Sequence, residues 1–66
     1  MIPAAIQDAI TKVQGTIVKC DPVCDGSNHY IVTFTAPPEL TAVEGAASLA
    51  RLPKDTFRVH FILEKN

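Results

Sequence analysis

Residues 56–64 form the longest run of strand-forming side chains in the chain, and they alternate. Phe57, Val59, Phe61 and Leu63 fall on one side; Arg58, His60, Ile62 and Glu64 fall on the other. A strand turns successive side chains to opposite faces, so this pattern predicts a half-buried strand with its aromatic side in the core. Whatever the chain folds into must supply an apolar layer for that side.

With 66 residues there is room for one small domain, residues 1–66. A chain of this length buries only about 60% of the surface that its unfolded form exposes. Hydrophobic residues make up 47% of it, but eight of them are alanines that bury little area each. A disulfide, a metal ion or a second copy commonly supplements a core of this size.

The remaining elements follow in chain order. Residues 3–13 read as a helix. Pro3 suits the first helical position, Ile6, Ile10 and Val13 make an apolar stripe, and Gly15 ends it. Asp8 and Lys12 stand one turn apart in the favourable order. Residues 16–20 read as a short strand. The next eight residues are rich in Asp, Gly, Pro and Asn and predict a loop between antiparallel strands. Residues 29–36 read as a second strand, with Tyr30, Val32 and Phe34 on one face and His29, Ile31, Thr33 and Thr35 on the other. Pro37 and Pro38 stop it.

Residues 41–52 read as a second helix. Thr41 and Glu44 fit a capping box, and Leu40, Val43, Ala47 and Ala50 form a stripe with Leu49 and Leu52 beside it. Gly45 weakens such a helix by about 1 kcal/mol. Pro53 closes it. The order is then α-β-β-α-β. The expected fold class is α+β: a small two-layer sandwich whose three-stranded sheet carries two helices on one face. A right-handed crossover sets the last strand parallel to the second and leaves it a long edge open to strand addition.

Three groups of residues are candidates for function. Cys20, Cys24 and His29 offer thiolate and imidazole donors within ten residues, the ligand types of zinc, with a fourth donor to come from His60, Asp21 or Asp25. The same cysteines are close enough to form a short disulfide, or to act separately as a strand and a loop cysteine. The segment from Asp21 begins like a calcium loop, but Val23 and Val32 stand where that loop needs oxygen ligands.

The second group is the outer sheet face. Ile31, Thr33, Arg58, His60 and Ile62 lie there, and Ile17 and Lys19 join it if the first strand's register allows. Its mixed apolar and polar character suits a protein partner or a second copy of the chain. The third group reads that face as a phosphate-binding surface of Lys19, His29, Arg58 and His60. The net charge of −1 disfavours nucleic acid, and the aromatics that would stack bases point inward.

No nucleophile motif, phosphate loop or dinucleotide fingerprint is present, so no cofactor and no enzymatic activity are expected. The N-terminal residues lack a basic leader, and no apolar run is long enough to cross a membrane. The expectation is a cytoplasmic, non-enzymatic interaction or regulatory module that self-associates or docks on a larger protein.

Overall fold

The structure, a computed structural model, describes residues 2–23 and 28–63. One helix, α1 (Ala4–Lys12), precedes four strands: β1 (Thr16–Pro22), β2 (His29–Thr35), β3 (Ala46–Leu52) and β4 (Thr56–Ile62). The strands form one sheet in the order β1-β2-β4-β3, with every neighbouring pair antiparallel.

The centre of this sheet follows from the two alternating segments. Pairing of β2 with β4 sets Tyr30 opposite Phe61, Val32 opposite Val59 and Phe34 opposite Phe57. The rings of Phe34 and Phe57 stack with centroids 5.7 Å apart. Val32, Phe34, Phe57, Val59 and Phe61 are all buried, with Ile6 and Ile10 of α1 packed over them.

The helix is shorter than expected by a residue at each end. Pro3 is its N-cap, and its carbonyl accepts hydrogen bonds from the amides of Ile6 and Gln7. At the other end the left-handed residue is Gln14, with φ 60°. Gly15 serves closeness of approach: an added Cβ would lie 2.7 Å from Ile10 Cγ2 and 3.0 Å from a ring carbon of Phe34. Lys12 is 3.5 Å from Glu44, on the crossover segment, and not paired with Asp8 among the described residues.

The expected three-stranded sheet with two helices is not what forms. The second helix over 41–52 is replaced by an irregular segment, residues 36–45, and by β3. The apolar spacing that suggested a helix has another origin. The pairing of β3 with β4 skips between Ala46 and Ser48, so an extra residue sits in the strand at Ala47. Such a bulge shifts the alternation by one. Ala46 and Leu49 therefore face the core three residues apart, whereas Ala47 and Ala50 of the expected helical stripe are exposed. Thr41 and Glu44 cap nothing, because no helix begins there.

Segment 36–45 does the covering work expected of the helix. Ala36 and Val43 are buried, and Leu40 packs against the core. Arg51 holds this segment from the edge strand. Its guanidinium donates to the carbonyls of Pro38 and Leu40 and lies 5.3 Å from the centre of the Phe57 ring.

The crossover also comes one element earlier than expected. It joins β2 to β3, and β4 returns between them. The last strand is thus antiparallel to β2 and has no free edge. The turn before it, at residues 53–55, holds Lys54 and Asp55 at φ 63° and 58°. Among the described residues no helix is long and apolar enough to cross a membrane.

Two substitutions test this arrangement in chemical denaturation. Gly45 has φ +84°, and a Cβ there meets only Phe61 at an ordinary 3.8 Å. Gly45→Ala is expected to destabilise by about 1–2 kcal/mol through the backbone alone; in a helix it would instead stabilise by about 1 kcal/mol. Arg51→Ala is expected to lower stability by about 1 kcal/mol, with no rescue by Arg51→Lys, because a lysine lacks the fork that spans two carbonyls.

Candidate functional site: the open face of the sheet

All of the covering structure, α1 and segment 36–45, lies over the aromatic side of the sheet. The opposite side is built by the alternate residues in register. Asp21, Ile31, His60 and Ser48 make one row across the four strands. Lys19, Thr33, Arg58 and Ala50 make the next. His29 stands opposite Ile62. Beyond the end of β1, the Val23 amide donates to the His29 carbonyl, which extends the ladder and puts Val23 beside His29.

This places the five residues Ile31, Thr33, Arg58, His60 and Ile62 on one face. Arg58 and Ile62 are exposed, and Ile31, Thr33 and His60 are half-buried. Ile17 is not among them. The pairing of β1 with β2 skips between Ile17 and Lys19, and the extra residue, Val18, turns Ile17 inward to the core. Val18 itself is 66% exposed. The apolar part of the face is Val23, Ile31 and Ile62; its charged part is Lys19, Asp21 and Arg58.

Lys19, His29, Arg58 and His60, the basic set, also share this face. The positive charge is partly offset, since Lys19 Nζ is 3.5 Å from Asp21 Oδ2 with both groups exposed. Tyr30 lies on the other side with the core aromatics.

The contact between the two histidines is a feature that reading strands singly does not reveal. His29 on β2 and His60 on β4 are diagonal neighbours. His29 Nδ1 and His60 Nε2 are 3.1 Å apart, one ring donating its N–H and the other accepting. Ring centroids are 5.1 Å apart and the planes are tilted by 45°. The signal in the sequence was the pairing of two alternating strands, each with a histidine on its polar side.

The cysteine and histidine set is distributed differently. Cys20 pairs with Val32 and packs against the core, whereas His29 is on the open face. Cys24 and Asp25 lie outside the described residues. No group of three or more His, Cys, Asp or Glu side chains converges among the described residues. A shallow open depression between the end of α1 and the crossover segment, with Val13, Pro37 and Leu40 in its wall, contains none of the three candidate groups of functional residues.

No family model matches the chain, and searches of curated proteins and of solved structures found no match.

Burial against the core pushes the Cys20 thiol above its ordinary pKa, and the neighbouring Asp21 carboxylate adds to the effect. The folded protein therefore holds the thiol proton more tightly than the unfolded chain does. The associated stability is complete below the unfolded value of about 8.5 and is lost as pH rises through the higher folded value. The denaturation midpoint of the wild type is expected to fall more steeply above that pH than that of Cys20→Ala. Parallel pH profiles of the two proteins would count against this account.

Proposed function

We propose that the protein is a non-enzymatic interaction module that self-associates through the open face of its sheet. The observation that carries this reading is the apolar end of that face. Val23 and Ile62 are 50% and 48% exposed, and Ile31 lies between the strands that bear them. Large side chains on one otherwise uncovered surface are the usual mark of an interface.

Three further arguments favour a second copy. Nine hydrophobic side chains are buried among the described residues, a small core of the kind that a second copy commonly supplements. Covering the open face would relieve that shortage. Opposite charges also share the face, Asp21 in one row and Lys19 and Arg58 in the next, so a two-fold rotation can bring unlike charges together. Finally, both edge strands are bulged, β1 at Val18 and β3 at Ala47, and β1 ends in Pro22. Bulges and prolines protect edges against strand addition, which leaves the face as the better route to association.

Sedimentation velocity over a concentration series tests this. A dimer is expected at concentrations on the order of 100 µM by mass action. Ile62→Asp changes an exposed position, so the monomer should keep its fold. A charge buried at the contact should weaken association by more than about tenfold. A wild type that stays monomeric throughout, or an Ile62→Asp protein that dimerises as well as the wild type, would refute self-association through this face.

A further inference from the structure

The contact between His29 and His60 has the dimensions of a chelate. Two imidazole nitrogens bound at about 2.0–2.1 Å to one tetrahedral ion stand roughly 3.3 Å apart, with their ring centres roughly 5.2 Å apart. The observed separations are 3.1 Å between nitrogens and 5.1 Å between ring centroids. We propose that His29 Nδ1 and His60 Nε2 form a binding site for a divalent late transition-metal ion, of which Zn²⁺ is the simplest probe. This inference rests on the histidine pair alone and does not depend on self-association.

The two donors are preorganised by the sheet. Both belong to the central strands, where β2 and β4 are paired along their whole length. Ile31 opposite His60 and Ile62 opposite His29 flank the pair with apolar side chains. Going from hydrogen-bond to chelate geometry widens the nitrogen separation by roughly 0.2 Å and turns the rings so that both lone pairs meet at one point.

The proton balance is also closed. In the hydrogen-bonded pair, one of the two facing nitrogens carries a proton. When the ion enters, that ring takes up the tautomer with its proton on the other nitrogen. Both facing lone pairs then bind the ion, and the proton of the donating ring stays on that ring at its other nitrogen. No third ligand group converges on the pair among the described residues.

The chain has only two histidines, so its imidazole ring signals in the NMR spectrum belong to this pair alone. Titration of the wild-type protein with Zn²⁺ should shift or broaden the ring signals of His29 and His60 together. His60→Ala should weaken Zn²⁺ binding in calorimetry at least tenfold and abolish the response of the His29 ring. The effect should persist in a Cys20→Ala, Cys24→Ser background, which separates this site from thiol ligation. If that background fails to fold, the paired ring response of the wild type decides. Ring signals unmoved by Zn²⁺, movement of one ring only, binding unchanged in His60→Ala, or binding that disappears with the cysteines would each overturn the proposal.

Discussion

The pairing of β2 with β4 is the interaction on which everything else in the molecule depends. It sets Phe34 on Phe57, Val32 on Val59 and Tyr30 on Phe61 in consecutive inward positions. Full burial of side chains of this size contributes about 1.5–3 kcal/mol each, and the stacked phenylalanines add about 0.5–1.5 kcal/mol. The helix, the crossover and both edge strands attach to this pair. Because side chains alternate along a strand, the same register that aligns the aromatics on one side aligns His29, Ile31, Arg58, His60 and Ile62 on the other. Core and candidate site are two faces of one ladder.

Most of the central structure was legible in the sequence because alternation is a strong local signal. The strands expected over 29–36 and 56–64 appear as His29–Thr35 and Thr56–Ile62, and the helix expected over 3–13 as Ala4–Lys12. The inward and outward sets of β2 and β4 were assigned correctly from their periods. The segment over 41–52 was not legible, for a definite reason. Its alanines and leucines favour a helix, and Leu40, Val43, Ala47 and Ala50 fall at helical spacing although Ala47 and Ala50 are exposed. What overrides local preference is the open side of β4, whose backbone groups need a partner. That need arises only once the sheet exists, so no local window of sequence carries it.

The bulges matter beyond this one misreading. At Val18 and Ala47 they change which residues face the core, so that Ile17 and Leu49 turn inward. The polar face loses an isoleucine that simple alternation would have given it. The histidine contact was hidden for a related reason. Each histidine was visible on a polar strand face, but their proximity depends on an antiparallel register that joins residues 31 positions apart. The expected parallel arrangement does not imply it.

The position of β4 also constrains how the molecule can come into being. It is the last of the four strands in the chain, yet it occupies a place between β2 and β3. A nascent chain that has reached the end of β3 contains the helix and the β1–β2 pair, but β2 and β3 flank a vacancy one strand wide. In the finished sheet β2 and β3 run parallel and both pair with β4, not with each other. The sheet is completed only when residues 56–62 enter it, and they bring Phe57, Val59 and Phe61 to the core. Completion of the sheet therefore waits on its last strand in the chain. Until then the inward residues of β2 lack their partners from β4, and the incomplete chain exposes the very strand edge that the finished protein conceals.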